Sequence, residues 1–396
     1  MQQKSGVANP NMSSKRKGNS GRKGIAVEEL RERLTRIPLN ARTTQRRLAA
    51  ALGIPQSTLH HNLKALGLKV HSSAIKPYLK QSGNLERLRW VLRWVRSSTS
   101  VTSTATAAAD GGSTRVLHDF EDFVHVDEKW FYLFHDGQRF YLYDGEEPPV
   151  RKVQSKRFIT KVMFLAAVAR PRHNTSSNFY FDCKIGLCTF TEKVRVVRNS
   201  RNREAGTLVT KPVEVTRETY KAKLIDDVIP AIKAKWPAAS RRSTIFLQQD
   251  NAPPHRVNTD GDLLEACSSD GFDIKIINQS PNSPDTNILD LGFFAAIQSL
   301  QDRTRARTID ELIAEVETAW QAVPAAKLDR VWTSLNACME QILLCGGDNT
   351  YKLPHSGKGR SARAGETIPR RYQISEESWT KGNAVLSVGG EQRSAA

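Results

Sequence analysis

Residues 161–170, KVMFLAAVAR, hold an apolar run that is unbroken rather than alternating. A strand with one wet face alternates polar and apolar residues. A run without alternation has to be covered on both faces. It is also too short to cross a bilayer, which takes about 20 apolar residues. Such a strand belongs in the interior of a sheet that has helices on each side. The flanking text agrees. Strand-like stretches are read at 123–134 (FVHVDEKWFYLF), 138–145 (QRFYLYDG), 178–190, 244–250 (TIFLQQD) and 272–278 (FDIKIIN). Helical periodicity covers 216–237, the second half of 282–301, and two later segments, TIDELIAEVETAWQAV and AKLDRVWTSLNACMEQILLCGG. Strands followed by alternating helices and strands predict an α/β fold with a mixed sheet.

The charge is placed unevenly. The net charge is +18, yet residues 1–100 carry 20 Lys and Arg against 4 Asp and Glu, and the other 296 carry 39 against 37. An even surplus would serve solubility. A basic block ahead of a neutral body is suited to a polyanion, and nucleic acid fits better than a membrane surface, because no basic amphipathic helix leads the chain. The five cysteines are odd in number, and none is paired as C-x-x-C, so they are read as reduced thiols of an intracellular protein. No G-x-x-x-x-G-K-[ST] loop occurs, which disfavours P-loop chemistry.

Within the basic block, residues 1–24 are polar and read as a disordered basic tail. Residues 25–96 turn helical. AVEELRERLTRI is followed by TTQRRLAAALGI, which stops at Gly53, and by PQSTLHHNLKALGL, with Leu59, Leu63 and Leu66 on one side. Two short helices across a glycine turn predict a helix-turn-helix. Its outward candidates for DNA are Arg46, Arg47, Gln56, Ser57, Thr58, His60, His61 and Lys64. One further helix is read over 71–96. The small-residue stretch SSTSVTSTATAAADGGST then marks a linker, 97–117. A folded α/β body is expected over 118–370 and a polar tail over 371–396.

Three acids share a context in that body. Asp127 lies inside the strand VHVDEKW, Asp250 ends the strand in FLQQDNA, and Asp290 sits in NILDLGFF, just inside a helix after the turn NSPD. A carboxylate in an apolar strand is costly unless it has a partner. Three carboxylates from separate elements form a hard-oxygen donor set of the kind that Mg²⁺ takes, and two such ions serve phosphoryl displacement. Glu128 points to the other face by strand alternation. Asp285, in the turn NSPD, competes with Asp290 for the third position.

These stretches resemble the mariner-like DDE transposases, especially the plant-type subgroup. The resemblance is carried by IPLNARTTQRRLAAALGIPQSTLHHNLKALGL, VHVDEKWFYL, REAGTLVTKP, IFLQQDNAPPH, PNSPDTNILDLGFFAAIQSLQ and YKLPHSGKG, and runs from about Ile37 to about Pro369. Thirty-nine residues separate Asp250 from Asp290, as in that subgroup, so the resemblance implies Asp290 as the third acid and leaves Asp285 as a turn or capping residue. The resemblance implies an RNase H-like catalytic domain behind an all-α helix-turn-helix domain. It implies catalytic and metal-binding roles for Asp127, Asp250 and Asp290, two Mg²⁺ ions that Mn²⁺ can replace, and a supporting or DNA-backbone role for Asn251 and His255. It further implies cut-and-paste transposition at a TA target, double-stranded DNA partners (terminal inverted repeats and target), a homodimer, no membrane association and a nuclear location. Lys129, Lys156, Arg157 and Lys161 are further candidates for DNA contact. The family carries two helix-turn-helix units, whereas one full unit is legible here, and AVEELRERLTRI is read as a remnant of the other. The alternative is a silent, domesticated DNA-binding relic, which the intact acid triad argues against.

Overall fold

The structure, a computed structural model, describes residues 25–68, 76–98, 114–134, 155–174, 179–200, 203–237, 243–304, 306–353 and 370–394. The basic tail 1–24, the strand expected over 138–145 and most of the linker lie outside them. The chain divides into two compact units, Met1–Ile75 and Lys76–Ala396.

Among the described residues, the α-helices of the first unit are α1 (Val27–Thr35), α2 (Gln45–Leu52) and α3 (Gln56–Asn62). Thr44 caps α2 by accepting from the Arg47 amide. Gly53 ends it at φ +70, a left-handed position where a side chain would be strained. Leu30 of α1 is fully buried among Leu48, Leu52, Ile54, Leu59 and Leu66. The segment read as a remnant of another unit is therefore the first helix of this one. Arg42 fastens its end by donating to the carbonyls of Leu34 and Ile37. Pro55 precedes α3, with no side-chain cap.

The second unit begins with α4 (Gln81–Arg93), β1 (Val95–Ser98), β2 (Thr114–Leu117), β3 (Phe123–Tyr132) and β4 (Lys161–Ala169). Next come β5 (Arg172–Asn174), β6 (Phe179–Phe181), β7 (Lys184–Thr189), β8 (Thr191–Arg195) and β9 (Leu208–Pro212). The helices α5 (Arg217–Lys223) and α6 (Ile229–Lys235) flank a π-turn and precede β10 (Ile245–Gln249), α7 (Gly261–Ser268) and β11 (Ile274–Asn278). Four helices close the order: α8 (Phe294–Gln301), α9 (Ile309–Ala322), α10 (Ala325–Leu344) and α11 (Glu376–Ser394).

The central sheet runs β11-β10-β3-β4-β7. β3 pairs antiparallel with β4 and β4 with β7, while β10 lies parallel to both β3 and β11. The sheet is thus mixed, in the RNase H-like order. Every residue of β4 from Phe164 to Ala169 is fully buried. Because neighbours on a strand face opposite ways, this requires cover on both faces, as the unbroken apolar run demanded.

Three boundaries differ from the sequence reading. Helix α4, grouped there with the helix-turn-helix, packs Leu88, Val91 and Trp94 into the core of the second unit. The ends of the linker pair with each other as β1 and β2, and Leu117 is buried. The tail beyond 370 is also structured. Tyr372 and Ser375 both donate to the Glu340 carboxylate, and a Cβ at Gly382 would stand 2.9 Å from the Leu343 side chain. The glycine lets α11 lie close against α10. Local pattern could not say what covers these surfaces, because each is complementary only to a remote segment.

Candidate active site

Asp250 is the residue after β10, and β10 pairs with β3 as Phe246 to Phe123 and Gln248 to His125. Continuing that register by two residues sets Asp250 beside Asp127. Two glutamines hold the strand end in place. Gln248 donates to the Thr286 carbonyl (3.1 Å), and its amide nitrogen lies 3.2 Å from the buried His125. Gln249 donates to the His255 carbonyl (2.6 Å) and to Asn258 and Asn278 (2.9 and 3.1 Å), and it accepts from the Tyr220 hydroxyl. Their side chains knit the turn that presents Asp250, so they are structural. Burial drives the His125 pKa down to about 3, which keeps that ring neutral.

Asp127 accepts from the Asn287 side chain (2.8 Å) and from the Glu128 amide. Asp290 sits in a π-turn, Leu289–Phe293, that leads into α8, and it hydrogen-bonds Asp127. A widened turn of this kind often marks a functional position. Burial, reinforced by Asp290 and Glu128, raises Asp127 well above the usual carboxylate range. Asp290 is raised too, by burial first and then by Asp250, although Asp127's hydrogen bond and the Lys129 charge pull the other way. The two titrate as a pair. Asp127 and Asp290 thus lie close enough to couple, and Asp250, which the strand register sets beside Asp127, adds its charge to the field at both.

Asp250 behaves differently. Burial would raise it, but hydrogen bonds from His255 and the Ala252 amide outweigh burial and hold it below its ordinary value. His255 is in ion-pair contact with Asp250 through Nδ1 and lies 2.8 Å from Glu128 through Nε2. The Tyr220 ring stacks on it at 4.0 Å. Burial would lower His255, yet the two carboxylates push it up to about 9. Glu128 grips the group that steadies Asp250. Sequence spacing could not find this bridge, because its halves lie 127 residues apart.

Other expected residues fall as follows. Asn251 donates to the Gln279 carbonyl (2.6 Å) and so fastens the turn. Asp285 neither caps a helix nor joins the carboxylates. It takes both terminal nitrogens of the fully buried Arg87 at 2.8 Å and accepts from Tyr351. Lys129 lies 5.8 Å from the Phe294 ring and Lys161 4.1 Å from that of Trp130, and Arg157 is exposed. In the first unit Arg46, Arg47, Gln56, Ser57, His60, His61 and Lys64 are exposed, and Thr58 is half-buried. His118, Asp119 and Asp122 form a separate cluster. There the His118 Nδ1 accepts from the Phe120 amide, which leaves Nε2 carrying the proton toward Asp122. A ring so engaged has no lone pair for a metal.

No family model matches the chain, and no curated protein matches it. A solved pre-cleavage Mos1 transpososome matches over 84% of this chain and 82% of its own, at 17% identity and a TM-score of 0.51. The chain has the Mos1 transposase fold. A Mos1 mariner paired-end complex with Mn covers the same shares at 16% identity and a TM-score of 0.49. The Mos1 catalytic domain alone is matched over its full length by 70% of this chain, at 14% identity and a TM-score of 0.41. Among the described residues, no helix is long and apolar enough to cross a membrane.

Proposed function

We propose that this chain is a mariner-like DNA transposase. The observation that carries the proposal is the Asp127–Asp250–Asp290 cluster, set at one end of an RNase H-like sheet in a Mos1-type fold. In this reading the helix-turn-helix binds the terminal inverted repeats and the carboxylate cluster cuts and rejoins DNA, with TA as the target. Two chains bring the two element ends together, and the work is done in the nucleus.

The donor set fits divalent metal. All three candidate ligands are hard carboxylate oxygens, and two of them are held toward protonation by burial and by neighbouring acids, which is a shortage of positive charge. Asp127, Asp250 and Asp290 would hold Mg²⁺ or Mn²⁺. Bound there, the ions supply activation of the attacking oxygen and charge neutralisation of the leaving one. The chain's own groups do the rest. His255 and Glu128 orient Asp250, Asn287 orients Asp127, and Lys129 offers a positive charge toward the phosphate.

The test is cleavage of a supercoiled plasmid bearing the inverted repeats that flank the coding sequence, with and without Mg²⁺, for wild type and Asp250→Ala. Metal-dependent nicking at the repeat ends that the variant loses supports the transposase. Tight binding with no cleavage by either protein would replace it with the silent DNA-binding relic.

A further inference from the structure

The ribbon of β8 and β9 plays no part in the chemistry above. Its strands pair from Thr191 opposite Pro212 to Arg195 opposite Leu208. Residues 191–212 hold six Lys and Arg against two Glu. Lys193, Arg195, Arg198, Arg203 and Lys211 are all exposed, and none makes an ion pair among the described residues. Val197 is 87% exposed at its tip. An isolated two-stranded ribbon is marginal in water, but this one has a fixed base. The Phe190 amide bonds the Met163 carbonyl, the Val213 amide bonds the Phe190 carbonyl, and Thr210 donates to Asp310.

The place of the ribbon in the fold gives it meaning. β7 runs parallel to β3, since both are antiparallel to β4. It therefore leaves the sheet at the end where β3 carries Asp127 and Lys129. Thr189, at the end of β7, stands opposite Phe164, which stands opposite Lys129. At about 4.8 Å per strand, the ribbon departs roughly 10 Å to the side of Lys129. Five paired residues at about 3.3 Å each carry it some 17 Å onward. Unpaired cations on a rigid arm beside a phosphodiester-cutting site are complementary to a run of phosphates.

We propose that the β8–β9 ribbon is a DNA-binding arm that grips the backbone of the duplex flanking the scissile phosphate. The proposal rests on the transposase reading. An acidic protein would match the charge alone, but only DNA would also have to lie across the carboxylate end of the sheet.

The experiment measures affinity of the full chain for a fluorescein-labelled 40-base-pair duplex, by anisotropy between 50 and 300 mM NaCl. Each phosphate contact adds about 0.9 to the slope of log K against log salt. The triple variant Lys193→Ala/Arg195→Ala/Arg198→Ala should lower that slope by about 2 to 3 and weaken binding at 100 mM by at least about tenfold. The charge-keeping triple Lys193→Arg/Arg195→Lys/Arg198→Lys should retain the wild-type slope, which separates charge from folding. An unchanged slope in the alanine variant, with the wild type still binding and cutting DNA, overturns the arm and leaves the transposase reading intact. A wild type with no salt-dependent affinity for the duplex overturns both.

Discussion

Replacing His255 by Gln should make the stability of the metal-free protein less dependent on pH, by an amount the structure sets. The imidazole is gripped by Asp250 and Glu128 and stacked under Tyr220. Its pKa is pushed up to about 9 from an ordinary 6.5. A raised folded-state pKa means that the charged ring stabilises the fold. That contribution is complete below about pH 6.5 and disappears as the pH climbs through about 9. At about 1.4 kcal/mol per pH unit, the interval amounts to about 3 kcal/mol at most. The Asp250 side chain is 38% exposed, so water screens part of the pair and about 2 kcal/mol is the better figure. All seven tryptophans lie beyond residue 76, so urea unfolding followed by tryptophan fluorescence reports on the second unit alone. In EDTA, wild type should exceed His255→Gln by about 2 kcal/mol at pH 6, and the difference should vanish by about pH 10. Groups that titrate in both proteins cancel. A difference that stayed constant from pH 6 to 10 would refute the ion-pair account and leave only packing.

Three other outcomes follow from the same geometry. Asp290→Asn removes a charge that raises Asp127, so it should abolish cleavage yet stabilise the metal-free protein by about 1 kcal/mol in urea, an active-site trade of stability for function; a destabilised variant would contradict it. Arg87→Met strips a fully buried guanidinium from Asp285 and Ser283 and should cost about 3–5 kcal/mol, because it strands a largely buried carboxylate; a loss under about 1 kcal/mol would show that the pair is dispensable. Leu59→Ala empties the centre of the three-helix unit at a cost of about 3 kcal/mol. It should remove inverted-repeat binding in a gel-shift assay while the tryptophan unfolding midpoint stays put, and retained binding would argue against this unit as the reader.

The sequence by itself determined the class of the fold and singled out the acids proposed here as metal ligands. An unbroken apolar run from Phe164 to Ala169 can only be an interior strand, because each residue alternates faces and none tolerates water. Asp127 and Asp250 were legible because a carboxylate at the end of, or within, an apolar strand is costly without a purpose. Gly53 announced the helix-turn-helix because only a left-handed residue closes that turn. Tertiary structure alone decided how the site is held. The Glu128–His255–Asp250 bridge, the Asn287 bond to Asp127 and the Arg87–Asp285 pair join segments from 122 to 198 residues apart, and no local period encodes such distances. The division of the chain was decided there as well. Helix α4 is as basic and periodic as those before it, but its apolar face matches the core of the second unit, and burial there outweighs its resemblance to its neighbours in sequence. Local pattern fixes which side of an element must be covered; only the assembled chain fixes what covers it.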